Sequence, residues 1–158
     1  MNEPITDRTE LLKLIFDKVD YRPQCSILLD QKTLEYLPGQ SLTVDYPVAD
    51  KFLNLAGSMQ GGFIVAAFDN TFGQLCYLVT EKVPIATIDI STTFHRPIFK
   101  DDTLRVFARV QSKGKTTISL AGEAFSKEGK LIASAMTNND QLYDPKKIEG
   151  FKPSYTVK

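Results

Sequence analysis

The segment from Asn54 to Thr80 constrains this chain more than any other. Asn54-Leu55-Ala56-Gly57-Ser58-Met59-Gln60-Gly61-Gly62 runs into a mostly apolar stretch without proline that ends at Thr80. A helix that is apolar on nearly all sides belongs in a protein interior. One carboxylate, Asp69, stands halfway along it among aliphatic and aromatic neighbours. Burying a charge without a partner is costly, so Asp69 needs an explanation beyond packing. A membrane span needs roughly 20 predominantly apolar residues. Asp69, Asn70, Thr71 and Gln74 occupy the middle of this stretch, where polar and ionised groups are expensive in lipid. The expectation is a buried helix of a soluble protein, with no membrane as partner.

The rest of the chain supplies material to enclose such a helix. Its 158 residues suit one domain, 1–158, with a sizeable core. Residues 1–24 read as an N-terminal helix and lead-in. Leu11, Leu12, Ile15, Phe16 and Val19 fall at helical spacing behind Thr6 or Asp7 as cap, and the helix ends before Pro23. Two short β-type runs, 33–37 and 41–46, flank the turn signal Pro38-Gly39. After Lys82 the pattern has a period of two. Ala86, Ile88, Ile90, Thr92 and Phe94 share one face, and Thr87, Asp89, Ser91, Thr93 and His95 share the other. Three more alternating runs follow, around Leu104–Val110, Ile118–Ala124 and Leu131–Met136, joined by short polar turns with glycine. The segment 145–158 is charged and aperiodic, a frayed tail. The expected class is α+β, one long helix wrapped by one antiparallel sheet.

Charge and rare residues narrow the chemistry. Nineteen basic and nineteen acidic side chains cancel, so no net field draws nucleic acid or an anionic membrane. Cys25 and Cys76 both lie in apolar sequence, and no signal-peptide pattern precedes them. They read as buried, reduced thiols of a cytoplasmic protein. No residues are spaced as metal ligands, and His95 is the sole histidine. Most metallohydrolases are thereby excluded, as is any Ser-His or Cys-His hydrolase that does not use His95. Beside Arg96 and Pro97 at a strand end, His95 reads as structural or surface.

Two features of the central segment carry chemistry. A helix beginning at Gly61-Gly62 leaves its first-turn N–H groups without intrahelical acceptors. With the helix dipole they form a site for the oxyanion of an acyl-transfer intermediate, and glycine admits a substrate carbonyl close to the backbone. The same pair could equally serve a tight entry turn or close packing. Asp69 could act as general base or nucleophile on a carbonyl, or could be a partly exposed aspartate bonded to a local hydroxyl such as Thr71. Eight residues at about 1.5 Å each put Asp69 about 12 Å along the axis from Gly61. An aspartate cannot span that distance. If both serve one reaction, they come from different copies of the chain, so the catalytic reading requires a homodimer with two equivalent sites.

The pattern Asn54-x-x-Gly57-x-x-Gln60-Gly61-Gly62 with Asp69 following resembles the hotdog-fold acyl-CoA thioesterases of the phenylacetic-acid-degradation type. These belong to the 4-hydroxybenzoyl-CoA thioesterase-like superfamily. The likeness runs from about Cys25 to Asn139. It includes the strand from Ile85 to Pro97 and the Lys113-Gly114-Lys115 and Glu128-Gly129-Lys130 segments. It implies a hotdog fold, a dimer or dimer of dimers, an acyl-CoA substrate, and no metal or cofactor beyond the substrate's coenzyme A. It also implies Asp69 as base or nucleophile and the Gly61 amide of the partner chain as oxyanion donor. Asn54 matches a site-lining asparagine, and Thr87 a hydroxyl that helps hold the attacking water. Strand alternation nevertheless assigns Thr87 to the face turned from the helix. Gln60 stands where much of the family carries histidine. It can donate to a carbonyl but has no titratable nitrogen.

In such a reaction the acyl group is expected beside the helix near Phe68, Phe72 and Gly73, with Gly62 as a further substrate contact. Arg96, Lys113 and Lys115 are candidates for coenzyme A phosphates, with solvated surface charge as the alternative. A protein that binds acyl-CoA without turnover is the main rival, marked by Gln60. A hydratase or dehydratase on the same fold ranks behind it, because that chemistry pairs a histidine with a carboxylate and His95 is far from Asp69 in sequence and off the motif.

Overall fold

A computed structural model describes residues 2–83 and 85–152; residues 153–158 of the expected tail lie outside them. In chain order the elements are α1 (Arg8–Phe16), α2 (Gln24–Leu28), β1 (Lys32–Leu37), β2 (Ser41–Pro47), α3 (Gly61–Thr80), β3 (Ala86–Phe94), β4 (Thr103–Lys113), β5 (Thr117–Phe125) and β6 (Leu131–Asp140). Single 3-10 turns stand at Asp50–Phe52 and Pro145–Lys147.

The strands form one antiparallel sheet in the order β1-β2-β4-β5-β6-β3, and α3 lies against its concave apolar face. This is the hotdog arrangement. Ile64, Ala67, Phe68, Thr71, Phe72, Leu75 and Cys76 are the buried residues of α3. Their spacing of three and four marks one helix face. They meet inward residues of the central strands, among them Val44, Val106, Leu120 and Ala133, all fully buried. Gly122 is needed at the contact. A Cβ there would sit 2.8 Å from the Phe107 carbonyl oxygen and 3.2–3.3 Å from the Phe72 and Phe68 rings. The one polar side chain on this face, Thr71, bonds the Tyr46 hydroxyl at 2.9 Å and donates to the Ala67 carbonyl at 2.8 Å. Burial pushes the Tyr46 hydroxyl pKa upward, so it stays a neutral partner.

By length and composition α3 could cross a membrane, but its buried face is the core of this sheet. Asp7 caps α1 by accepting from the Glu10 amide at 2.9 Å. Leu11 is buried, while Leu12 stays 44% exposed. α2 is an element the sequence pattern missed; at five residues it is too short to show a period. It also overturns one expectation. Cys76 is buried, but Cys25, on α2, is exposed.

β1 gains one backbone bridge from Ile5 to Tyr36. β3 pairs only with β6, so its outer edge is unpartnered among the described residues. On β3 the strict period of two fails. Its register against β6 shifts between Thr87 and Asp89, a bulge that inserts one extra residue and turns the side chains before it to the opposite face. Ile88, expected inward, is 56% exposed. The outer face clamps this bulge, since Asn138 Nδ2 donates to both carboxylate oxygens of Asp89 at 3.1 and 3.0 Å.

Candidate active site

The bulge decides where Thr87 points. Its hydroxyl donates to Asp69 Oδ1 at 2.8 Å, so Thr87 lies on the helix side of the sheet and not on the outer side that alternation assigns it. Asp69 therefore has its hydroxyl partner on β3. Thr71 is engaged with Tyr46 on another face of α3. The bond occupies one carboxylate oxygen, Oδ1, and leaves Oδ2 free of it.

The pair opens on a cleft of about 700 Å³ between α3 and the N-terminal helices. Asp69, Gly73 and Tyr77, four residues apart on α3, line one wall, with Asn70 and Gln74 beside them. Gln74 Oε1 accepts from Gln31 Nε2 and Thr33 Oγ1, both at 2.9 Å. Cys25 Sγ lies 3.5 Å from Asn70 Oδ1. Gln31 Oε1 and Asn70 Nδ2 are buried without a partner, so this wall keeps hydrogen-bonding capacity for water or ligand. The opposite wall is mostly apolar, with Leu12, Ile15 and Val19, and carries Arg8 at the start of α1. Asp69 also acts across the helix. Burial, and then the Asp69 charge, push the Cys76 thiol up to about 12.

The start of α3 is built separately. Asn54 Oδ1 accepts from the Ala56 and Ser58 amides at 2.9 and 3.3 Å, closing a loop whose Gly57 has φ +75°. The Gln60 amide donates to the Phe52 carbonyl at 2.8 Å, and its own carbonyl accepts from Phe63 at 2.9 Å. Gln60 stands at the N-cap without a side-chain cap bond. Its side chain lies over Gly62, with Oε1 2.8 Å from where a Cβ would be. At Gly61 a Cβ would approach the Phe94 ring to 3.0 Å. The first turn of α3 holds no acidic residue, so its amides are not neutralised locally.

Within one chain, then, Asp69 and Thr87 meet, Gly73 joins them in the cleft, and Gly61, Gly62, Gln60 and Asn54 stand apart at the helix start. Phe68 and Phe72 are corrected. Both are fully buried and stacked at 5.7 Å on the sheet side, because a helix places them about 100° round from Asp69 and Gly73. The cation assignment also changes. Arg96 Nη1 bonds the Leu131 carbonyl at 3.0 Å, and Lys113 Nζ the Val79 carbonyl at 3.0 Å. Neither they nor Lys115, beside the β4–β5 turn, line the cleft. Its cations are Arg8, Arg22, Lys32 and Lys82, which no motif singled out. His95 bonds Ser134 Oγ through Nε2 at 2.9 Å, a strand-to-strand contact. Tyr77 and Gln74 were legible in the sequence, since they follow Asp69 and Asn70 at helical intervals.

Residues 56–133, from the loop before α3 to β6, match the thioesterase superfamily. The matched segment holds all of α3 and of β3 to β5. A relative from Saccharolobus solfataricus, named only as a candidate esterase, is 29% identical over 136 residues, 86% of this chain and 91% of its own. A solved phenylacetic acid degradation-related protein of Ralstonia eutropha JMP134 is 29% identical with a TM-score of 0.67. That match covers 76% of this thioesterase and 91% of the other chain. A hypothetical thioesterase of Streptococcus pneumoniae TIGR4, solved with coenzyme A, shares the fold at 18% identity. Its TM-score is 0.68, over 74% and 91% of the two chains. The protein is a thioester hydrolase.

Proposed function

We propose that this thioesterase hydrolyses acyl-CoA in a homodimer, each site combining Asp69 of one chain with the α3 N-terminus of the other. The observation that carries this reading is the Thr87–Asp69 hydrogen bond at 2.8 Å, facing a cleft large enough for a ligand. The coenzyme A bound by the Streptococcus protein supports the substrate class.

Asp69, held through one oxygen by Thr87, uses the other to take a proton from water that attacks the thioester carbonyl, or attacks it directly. As the carbonyl becomes an oxyanion, the unneutralised amides at Gly61 of the partner chain receive the charge. Gln60 donates to the same oxygen, and Asn54 holds the loop that aims the helix start. The coenzyme A thiolate leaves; in the first route it takes up the proton held by Asp69, and in the second water then hydrolyses the acyl–Asp69 anhydride and restores the carboxylate. The second copy is required because about 12 Å of helix separates Asp69 from Gly61. The unpaired edge of β3, with Ile88 and Phe94 more than half exposed, supports a pairing surface for it. No cofactor enters this scheme. Two free thiols, Cys25 and Cys76, suit a reducing compartment, the cytoplasm.

A panel of acyl-CoA thioesters with free-thiol release as readout tests the activity. Binding without release would favour the non-catalytic acyl-CoA-binding module. The shared site is tested by mixing Asp69→Asn chains with chains altered at Gly61. Mixed dimers regain one working site in two, and no recovery refutes the two-chain site.

A further inference from the structure

The two walls of the cleft differ in a way the hydrolysis scheme does not by itself require. On the α3 side Asp69, Asn70 and Gln74 are polar, and two buried polar atoms there lack partners. On the α1 side Leu12, Ile15 and Val19 form an apolar stretch with Arg8 at the start of the helix, and Leu12 remains 44% exposed although it belongs to a helix packed on the domain. Between the walls stands Gly73, where an added Cβ would meet nothing within 4 Å. The glycine leaves open space beside Asp69 that a larger residue would fill. The family match begins at residue 56, so α1 lies wholly outside it.

We propose that this cleft is the acyl pocket, taking an apolar acyl group longer than acetyl, and that α1 is the wall that sets which acyl groups fit. The inference rests on the thioesterase reading of Asp69 and extends it to the substrate. With the thioester carbon at Asp69, the acyl group runs along Leu12, Ile15 and Val19, while water stays against Asn70 and Gln74, beside the carboxylate that activates it. Each methylene moved from water to the apolar wall is worth roughly a fourfold gain in binding, so a longer chain is favoured until the wall ends.

Two measurements on the full chain test this. The first is kcat/KM for acetyl-, hexanoyl- and decanoyl-CoA. The decanoyl-to-acetyl ratio should exceed about tenfold, fall by about tenfold in Leu12→Asn, and hold in Leu14→Asn. Leu14 lies on the same helix but off the lining. An equal ratio in all three proteins overturns the proposal. The second does not need turnover. Cys25 lines the cleft and is exposed, whereas Cys76 is fully buried, so iodoacetamide reads occupancy at Cys25 alone. A decanoyl thioether of coenzyme A should slow that alkylation about tenfold, and coenzyme A alone should not. Equal protection by coenzyme A alone assigns the cleft to the pantetheine arm and overturns the proposal, as does protection by neither. If the thioether protects but no thioester in the panel releases thiol, the pocket stands and the hydrolytic reading of Asp69 fails.

Discussion

The two long faces of α3 are made from one stretch of sequence and do opposite work. Toward the sheet, Phe68, Phe72 and Leu75 are fully buried, and the only polar group, Thr71, is satisfied by Tyr46 and Ala67. Toward α1, Asp69 is half-buried and Gly73 exposed, and Asn70 Nδ2 has no partner at all. The first face holds dispersion contacts and closed hydrogen bonds, the ingredients of stability. The second keeps a carboxylate and open hydrogen-bonding capacity next to space, which costs stability and makes chemistry available. Substitutions on the two faces should therefore separate folding from turnover.

The largest effect is expected on the sheet side. Phe72→Ala removes a stacked ring over Gly122 and leaves a cavity, costing about 3–5 kcal/mol of unfolding free energy in urea titration. Turnover per folded molecule should change far less. A mutant that stays as stable as the parent would show that this face is not the core. On the other face, Asp69→Asn should lower kcat by roughly 10²–10⁴-fold while the urea midpoint moves little. A large loss of stability with intact turnover would reverse the comparison. Thr87→Val keeps the shape of the side chain and removes the bond to Asp69. Hydrogen bonds to charged groups are worth about 1.5–3 kcal/mol, so kcat should fall by roughly 10–100-fold with KM nearly constant.

The difference between the faces also explains what was legible beforehand. The single sheet, its hairpins and the long helix follow from periods of two and of three to four, which burial enforces along whole elements. Asp69 and its distance from Gly61 could be read because helical rise is fixed. Thr87 was assigned to the wrong face because the β3 bulge depends on pairing with β6 and on the Asp89–Asn138 clamp, contacts about fifty residues apart in sequence. Phe68 and Phe72 were placed beside the substrate because they neighbour Asp69 in sequence, although a helix turns adjacent residues apart. The apolar wall needed the tertiary position of α1, and Cys25 the presence of α2. No local pattern encodes either.

Gly73 allows the finest test of the comparison, with an effect of opposite sign. It lies in the interior of α3, where glycine costs helix stability through its extra backbone freedom. Its backbone is not at positive φ, and a methyl there meets no atom within 4 Å. Gly73→Ala should therefore raise unfolding free energy by about 0.5–1 kcal/mol, measured by the same urea titration. Such a gain would mean that the parent chain forgoes available helix stability at the position that leaves room beside Asp69. Ala67→Gly, at the same type of helix position on the buried face, should lose at least that much, since it adds a lost contact to the lost propensity. If the two substitutions instead shift stability in the same direction, the faces are not energetically distinct, and the open side of α3 is ordinary packing left unfilled.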